Sequence, residues 1–513
     1  MEAADVPAAV VLWAEKPVTE AHDDTLDTPV EAALPERSWP LEPDEAEMRA
    51  LIDATIARVI PHILSLHEQP ASNNDGATEF ARTLDEPLPQ QGTPFDELLD
   101  FLFDEAIPRS LNTASPGYFA YINGNAVFES ALASFINDSV NRYMGVYAAG
   151  PVMAKIEANV VEWFAQIIGY PPESGGFLTS GGSLANLTGV VTARSERLPQ
   201  SFLGGTIYAS DQVHHSVVKA AIMAGFPAES VRSLPSDDRY RLRPDTVLDA
   251  VQADRDDGWL PFLVVASAGT TNSGAVDPLD DLADLCEREH LWLHVDASYG
   301  GFFALTERGN RVLRGLGRAD SVVLDPHKSL FVPYGVGSLL VRDGGALRRA
   351  HSASADYMPP LQDEPDLVDF CQISPELSRE FRGLKVWLPL KRHGIGPYRD
   401  ALQEKFELTD WITARLREID DVEIVAEPQL TILAWRLKLP GLSEGELDDL
   451  NQRLIARINA RRRVYLTDTR LDGCFVIRIC VLPLRAHADR MRMAMEDIRA
   501  AITEVRAWRC GVD

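Results

Sequence analysis

The chain has 513 residues, 45% hydrophobic and 25% charged, a composition typical of a globular protein with enough material for two to four domains. Its formal net charge of −28 argues against binding to nucleic acids or anionic membranes, because both ligands require a basic surface. No apolar run approaches the roughly 18 residues that a membrane span requires. The five cysteines show no CxxC spacing and predict free thiols in a reducing, cytoplasmic environment.

Residues 1–40 form an acidic leader rich in proline and alanine, in which Lys16 and Arg37 are the only lysine and arginine. The leader lacks both the basic start and the long apolar stretch of a signal peptide. It shows no sustained hydrophobic period, so we expect disorder or loose packing.

Residues 41–124 are predicted to be mainly helical. From Glu42 to Ile63, apolar residues recur at spacings of three and four, which predicts an amphipathic helix. A polar loop follows, and a second helix is predicted from Phe95 onward. The apolar stripe of the first helix needs a covering surface, and we expect a second copy of the chain to provide it.

Residues 125–385 alternate short apolar strands with helices, and therefore predict one large α/β domain. Strands are expected at 206–209, 262–266, 292–295, 322–324 and 338–341, and helices at 217–224, 247–253 and 279–288. This alternation is typical of a mainly parallel sheet with helices on both faces.

Residues 386–513 predict a small α+β domain. Helices are expected at 404–417, 443–458 and 486–505, and strands at 422–425, 431–437 and 475–482.

The segment 325–329 reads DPHKS and directly follows a predicted strand. A lysine at the carboxyl end of a parallel strand faces the crevice in which α/β sheets bind ligands. If that crevice is apolar, burial lowers the pKa of Lys328 and frees its amine as a nucleophile. Taken alone, a His-Lys pair is more typical of a solvated loop.

The segment 294–298 reads HVDAS and ends another apolar strand. A buried aspartate is costly unless it pairs with a cation, and the protonated pyridine nitrogen of pyridoxal phosphate is such a cation. A helix cap or a surface carboxylate is the alternative interpretation of Asp296.

Two further segments favour a cofactor. TSGGSLAN at 179–186 opens a helix, where small residues let backbone amides approach a phosphate, although such glycines also make simple tight turns. DQVHH at 211–215 follows a strand, and the imidazole of His214 could stack on a planar ring, although capping and core histidines are more common.

These segments follow one another in a single α/β unit: the glycine-rich loop, His214, GTT at 269–271, Asp296 and Lys328. From about residue 42 to about residue 505, the chain resembles the group II family of pyridoxal-phosphate-dependent amino-acid decarboxylases. The resemblance implies an aspartate-aminotransferase-like fold (fold type I). It also implies a homodimer with active sites at the interface, in which the N-terminal helical segment packs on the partner subunit.

The resemblance also implies the roles of individual residues. Lys328 matches the lysine that forms a Schiff base with the cofactor, and Tyr357 matches a tyrosine of a mobile catalytic loop. Arg478 matches the arginine that anchors the α-carboxylate of an L-amino-acid substrate, and Arg379 and Arg382 are expected to support packing. The implied cofactor-binding residues are Gly181, Gly182, Ser183, His214, Thr270, Asp296, Ser298, His327 and Lys328.

The chain departs from the family pattern at two places. Many relatives carry His-Pro where this chain reads SPGYF at 115–119. Asp325 stands where some relatives carry an asparagine that touches the phosphate, and we expect this carboxylate to turn away. Both departures weaken any transfer of the substrate.

An aromatic or other hydrophobic L-amino acid is our interpretation of the substrate. Tyr118 and Phe119 could line an apolar pocket, although such residues are equally often core, and the negative net charge disfavours an acidic substrate. One alternative activity is oxidative deamination to an aldehyde. Relatives of that kind tend to replace the loop tyrosine or the stacking histidine, whereas this chain retains Tyr357 and His214. A catalytically silent scaffold is the other alternative, and Lys328 and Asp296 argue against it.

Overall fold

The structure, a computed structural model, describes residues 41–509 except 354, 355, 357, 359, 360, 363 and 365. The acidic leader and Tyr357 therefore lie outside the described residues. The chain divides into two compact units, one ending at Ile56 and the other starting at Ala57. Among the described residues, no helix combines the length and the apolarity that crossing a membrane would need.

The strands of the described chain fall into two groups, one for each sheet. They are β1 Gly175–Thr179, β2 Gly205–Ser210, β3 Val231–Leu234, β4 Leu260–Ser267, β5 Trp292–Asp296, β6 Ser321–Leu324, β7 Gly337–Val341, β8 Val422–Ala426, β9 Ile432–Leu437, β10 Thr467–Leu471 and β11 Cys474–Cys480.

The α-helices of the described chain lie before, between and after these strands. They are α1 Glu45–Leu64, α2 Ala77–Arg82, α3 Phe95–Asp100, α4 Phe128–Val140, α5 Pro151–Ile168, α6 Gly182–Arg197, α7 His215–Met223, α8 Pro244–Asp256, α9 Leu279–Glu289, α10 Glu307–Val312, α11 Pro326–Ser329, α12 Gly344–His351, α13 Phe370–Ile373, α14 Gly383–His393, α15 Gly396–Arg417, α16 Glu444–Asn459 and α17 Ala488–Arg509.

Within the described residues, the larger sheet has seven strands in the order β1-β7-β6-β5-β4-β2-β3. β7 is antiparallel to both of its neighbours, and every other pair is parallel. The central strands β5 and β6 are buried along their whole length, as expected for a parallel sheet covered on both faces. The carboxyl ends of β1, β2, β4, β5 and β6 therefore share one edge, which confirms the predicted α/β architecture.

The smaller sheet has four strands in the described chain, in the order β10-β11-β9-β8, and each neighbouring pair is antiparallel. Its apolar face packs with α15, α16 and α17 in one core that includes Trp435 and Ile477. The helix α16 begins with a capping box, in which Ser443 and Glu446 satisfy each other's backbone amides. This is the small α+β domain predicted from the sequence.

The strands predicted at five places in the large sheet are confirmed with bounds that differ by a residue or two. Three strands escaped prediction: β1, β3 and β10. β1 begins with two glycines, and β10 reads TDTRL, so neither resembles an apolar strand. Pairing with neighbouring strands creates both, and that pairing is not visible in a local pattern.

Candidate active site

A cavity of about 320 Å³ lies at the carboxyl edge of the large sheet. All nine residues that the resemblance assigns to the cofactor line it: Gly181, Gly182, Ser183, His214, Thr270, Asp296, Ser298, His327 and Lys328. Because parallel strands end at the same edge, segments separated by about 150 residues in sequence meet in one crevice.

Asp296 is buried at the end of β5, and both of its oxygens accept hydrogen bonds. The side-chain amide of Asn186 donates to Oδ2 over 2.9 Å, and the backbone N–H of Ser298 donates to Oδ1 over 3.1 Å. Burial opposes ionisation, but the charge of Lys328 and these hydrogen bonds outweigh it, so the pKa of Asp296 lies below its ordinary value. The carboxylate is therefore ionised and can accept a further hydrogen bond from a donor in the cavity.

Lys328 lies in α11, the short turn that follows β6, and its side chain is largely buried. Its Nζ is 3.0 Å from Oδ2 of Asp325. Burial alone would lower the pKa of Lys328, but the carboxylates of Asp325 and Asp296 outweigh it and raise the pKa above its ordinary value. The condition for a lowered pKa, an apolar crevice, is therefore not met, because two carboxylates lie beside the amine.

Asp325 is expected to turn away from the cofactor phosphate, and that expectation stays a prediction. Its side chain is buried, lines the cavity and pairs with Lys328. Its second oxygen, Oδ1, is buried without a hydrogen-bond partner among the described residues. A buried acceptor without a donor is costly, so the site has room for a ligand that supplies one.

The glycine-rich loop joins β1 to the first turn of α6. The first amides of a helix have no acceptor within the helix, and the helix dipole favours an anion at that end. A Cβ atom on Gly182 would lie 2.6 Å from Oγ of Ser298 and 2.9 Å from Oδ2 of Asp325. A side chain at this position would therefore require Ser298 or Asp325 to shift.

Two arginines hold the strand that leads into this loop. Arg379 is fully buried, pairs with Glu157 over 2.6 Å, and donates to the carbonyl of Leu178 in β1. Arg382 donates to the same carbonyl and forms a two-point ion pair with Glu376. The strand that leads into the loop is therefore held in place, in agreement with the supporting role expected for both arginines.

His214 caps the N-terminus of α7, and Nδ1 of its ring accepts from the backbone N–H of Ser216 over 3.3 Å. Burial lowers the pKa of His214, so the imidazole is neutral near pH 7. His327 also lines the cavity, and its Nδ1 donates to the carbonyl of Val336 over 2.7 Å. Thr270 is buried, and its hydroxyl lies 2.7 Å from Oγ of Ser273.

Arg478 lies in β11 with 4% of its surface exposed. Its guanidinium donates to the carbonyls of Thr271 and Asn272 and to the hydroxyl of Thr467. Burial lowers its pKa, and no carboxylate of the described residues lies within 4.0 Å of it. A buried arginine without an acidic partner is suited to bind a carboxylate from outside the chain.

The two aromatic residues proposed for the substrate lie apart from the cavity lining. Tyr118 is buried and stacks on Tyr465, with 5.8 Å between the ring centroids. Phe119 is fully buried in the core of the small domain, a placement that favours packing over substrate contact. The role of Tyr118, like that of Tyr357, stays a prediction.

Sequence reasoning missed three polar residues that hold the site together: Asn186, Ser216 and His294. All three are buried and hydrogen-bonded, and Asn186 and Ser216 line the cavity whereas His294 does not. Asn186 stands four residues into a helix that begins in the glycine-rich loop, and that spacing was the available signal. His294 stands two residues before Asp296 on the same strand, and thus on the same face.

These residues fit pyridoxal phosphate. An anion suits the first turn of α6, a protonated ring nitrogen suits the ionised Asp296, and an aldehyde suits the amine of Lys328. The cavity of about 320 Å³ that these residues line leaves room for such a group.

Comparisons with known proteins agree with this site. The pyridoxal-dependent decarboxylase conserved domain matches residues 78–438. An aromatic-L-amino-acid decarboxylase of Bacillus atrophaeus is 33% identical over 461 residues, which cover 90% of this chain and 96% of that protein. An acidic amino acid decarboxylase of Xenopus tropicalis is 32% identical over 360 residues, which cover 68% of this chain and 70% of that protein.

The fold agrees as well. The crystal structure of Oryza sativa TDC with PLP and tryptamine superposes with a TM-score of 0.87 at 26% identity, covering 91% of this chain and 99% of that chain. The chain therefore belongs to the pyridoxal-dependent decarboxylase family and is an amino-acid decarboxylase that uses pyridoxal phosphate.

Proposed function

We propose that this decarboxylase converts an aromatic L-amino acid to the corresponding amine and CO₂. The observation that carries the proposal is the 33% identity, over 90% of the chain, to a relative named for aromatic L-amino acids. The charges of the site support it. An acidic substrate needs a second cation for its side chain, whereas Lys328 is the only lysine or arginine among the described residues that line the cavity, where it faces two aspartates.

The cofactor would be held by residues that follow several strands. Lys328 would bond to its aldehyde, Asp296 would accept from its ring nitrogen, and the first turn of α6 with Gly182 and Ser183 would bind its phosphate. His214 would stack on the ring. When bound, pyridoxal phosphate supplies an electron sink for the bond that breaks at the substrate Cα.

Arg478 binds the substrate α-carboxylate in this proposal. Its guanidinium is buried and oriented by three protein acceptors, so its position is set before the substrate arrives. We expect Arg478→Gln to lower kcat/KM by about 100-fold, the effect of leaving a buried charge without its partner. The affinity for the amine product, which lacks a carboxylate, should change far less.

The final step places a proton on the carbon that has lost CO₂. We propose that the phenol of Tyr357 donates it, because a phenol is a weak acid that releases its proton only to a strong base. Nε2 of the neutral His214 is the second donor available in the cavity. Exclusion of water favours protonation by these groups over side reactions.

The functional unit is proposed to be a homodimer. Large apolar side chains on α1 and α4 are 38–55% exposed in the single chain: Met48, Ile52, Ile56, Ile60, Phe128, Leu132, Phe135 and Ile136. Stripes of this kind are typical of surfaces that a second subunit covers. Sedimentation at micromolar concentration should give twice the mass of the chain, and a fully active monomer would contradict the proposal.

The domain organisation and the location stay proposals as well. We propose a leader (1–40), an N-terminal helical segment (41–124), a large cofactor-binding domain (125–385) and a small C-terminal domain (386–513). The described cysteines, Cys286, Cys371, Cys474 and Cys480, are free, which supports a reducing compartment such as the cytoplasm.

The test of the substrate is CO₂ release from a panel of the twenty amino acids with the purified holoenzyme. We expect tryptophan, tyrosine or phenylalanine to give the highest kcat/KM, and glutamate or aspartate as the best substrate would overturn the proposal. Amine, aldehyde and peroxide are measured in the same reactions, because aldehyde and peroxide from the native chain would indicate oxidative deamination. Tyr357→Phe should retain CO₂ release and lose amine yield, whereas an unchanged yield would assign the proton to His214 or water.

A further inference from the structure

A chain of hydrogen bonds runs from Trp292, which lies outside the cavity lining, to His214, which lines the cavity. Nε1 of Trp292 lies 2.7 Å from Oγ of Ser321, which lies 2.7 Å from Nδ1 of His294. Nε2 of His294 lies 2.9 Å from Oδ1 of Asn186. The chain therefore reaches the helix that carries the glycine-rich loop.

At Asn186 the chain divides into two branches. Nδ2 of Asn186 lies 2.9 Å from Oδ2 of Asp296 and 2.9 Å from Oγ of Ser216. Oγ of Ser216 then lies 2.7 Å from Nδ1 of His214. The Asn186 amide thus connects with both residues that face the cofactor ring.

The direction of every hydrogen bond follows from the two ends of the chain. The Trp292 indole can only donate, so the Ser321 oxygen accepts from it and its own hydroxyl is available to donate to Nδ1 of His294. In that arrangement the proton of His294 is on Nε2, where it donates to Oδ1 of Asn186.

The other end of the chain fixes this arrangement, because it places the Asn186 oxygen against Nε2 of His294. The ionised Asp296 can only accept, so the nitrogen of the Asn186 amide faces it and the amide oxygen faces His294. The second N–H of the Asn186 amide donates to Oγ of Ser216, and the hydroxyl of Ser216 donates to Nδ1 of His214. The backbone N–H of Ser216 also donates to that nitrogen, so the proton of His214 is on Nε2.

The surroundings of His294 favour this neutral, fixed ring. Its side chain is fully buried, and burial lowers its pKa to about 4, with Asp296 as the one charge that opposes the shift. On α6, Gly189 leaves space for the ring, because a Cβ atom there would lie 2.5 Å from Cε1 of His294. Gly189 is three residues after Asn186 and so lies on the same helix face.

We propose that His294 is a positioning residue that orients the Asn186 amide, so that Asp296 is presented to the cofactor ring nitrogen as an ionised acceptor. His294 itself does not reach the cavity lining, and it acts through Asn186. The proposal rests on the assignment of Asp296 to the cofactor under the proposed function.

Loss of the His294 donor should weaken the binding of the cofactor. In His294→Phe, Oδ1 of Asn186 becomes a buried acceptor without a donor, and the amide can rotate its oxygen toward Asp296. We expect the dissociation constant for pyridoxal phosphate to rise about 10-fold, as expected for one unsatisfied buried group. In His294→Gln, the side-chain amide can replace the Nε2 donor, and the dissociation constant should stay within about threefold of the native value.

Two further variants separate positioning from folding. Asn186→Asp keeps the shape of the side chain but places a carboxylate beside Asp296. This variant should weaken cofactor binding at least as much as His294→Phe. It keeps the proposal testable if His294→Phe folds poorly. Tyr170→Phe is the matched control, because it removes a buried hydroxyl that donates to the carbonyl of Ala319 over 2.9 Å, away from the cavity. It should lower the melting temperature without changing cofactor affinity.

Neutron diffraction from deuterated holoenzyme crystals at pH 7 tests the proton positions directly. The expected result is a deuteron on Nε2 and none on Nδ1 of His294. A deuteron on Nδ1, or a His294→Gln variant as weak in cofactor binding as His294→Phe, would overturn the proposal. Neither measurement requires turnover, so a different substrate or reaction would leave this test unaffected.

Discussion

Asp296 and Asp325 occupy equivalent places in the fold but differ in their partners. Both are buried at the carboxyl ends of adjacent strands, β5 and β6, and both raise the pKa of Lys328. Each oxygen of Asp296 accepts a hydrogen bond from a neutral group, whereas Asp325 relies on the charge of Lys328 and leaves one oxygen unsatisfied.

The difference concerns preorganisation. Asp296 is held by Asn186 and by a backbone N–H, so its orientation does not depend on the state of the lysine. Asp325 has the lysine amine as its main partner, and that amine must become neutral to bond with the cofactor aldehyde. Hydrogen bonds from neutral groups can orient a carboxylate in advance, whereas an ion pair with the Lys328 amine changes when that amine loses its charge.

The largest expected effect follows from removing the residue that both aspartates share. Lys328→Ala should abolish turnover and remove the cofactor bond that borohydride reduces, because no other lysine lines the described cavity. Mass spectrometry after reduction measures the bond. A reduced cofactor adduct that persists in the variant would refute the assignment of Lys328.

Asp296→Asn tests the preorganised aspartate. The variant keeps the size of the side chain but loses the charge that is proposed to accept from the ring nitrogen, so the cofactor dissociation constant should rise about 10- to 100-fold and kcat should fall. Fluorescence titration of the apoprotein with pyridoxal phosphate gives the affinity. Native affinity and rate in this variant would show that the ring nitrogen pairs elsewhere.

Asp325→Asn tests the other aspartate. Unlike Asp296→Asn, which should weaken cofactor binding, this variant should accelerate the capture of the cofactor. Asp325 stabilises the protonated amine, so its removal lowers the pKa of Lys328 and leaves more neutral amine at a given pH. Cofactor capture below the native pKa should accelerate about tenfold for each unit by which the pKa falls. Reconstitution rates measured across pH should shift toward lower pH, and by more than in Asp296→Asn, whereas an unshifted profile would contradict the ion pair.

Ser298→Ala should have the smallest effect. The backbone N–H of residue 298 still donates to Asp296, and the charge of Lys328 and the Asn186 amide still lower the pKa of that carboxylate after the hydroxyl is lost. Cofactor affinity should change by about threefold or less. A larger loss, measured in the same titration, would mean that the hydroxyl contacts the cofactor itself.

Local pattern was sufficient for most of the fold. The strands at 292–295 and 322–324 were predicted because apolar β-branched runs end at polar residues, and the helices between strands were predicted from their 3.6-residue period. The strand β1 was missed because its pairing with β7 compensates for Gly175 and Gly176. The local pattern also could not assign Phe119, because an aromatic residue gives the same sequence pattern in a substrate pocket and in the core, where Phe119 lies.

The sequence by itself determined the class of site. An aspartate and a lysine at the ends of two strands, after a glycine-rich helix start, specify a buried anion, an amine and a phosphate-binding turn, since these properties belong to the residues and to the ends of the elements. Only the tertiary structure decided the electrostatics. Asp325 faces Lys328, and Asn186 and His294 support Asp296, because pKa values and hydrogen-bond directions depend on which groups the fold brings within about 3 Å, where a hydrogen bond forms.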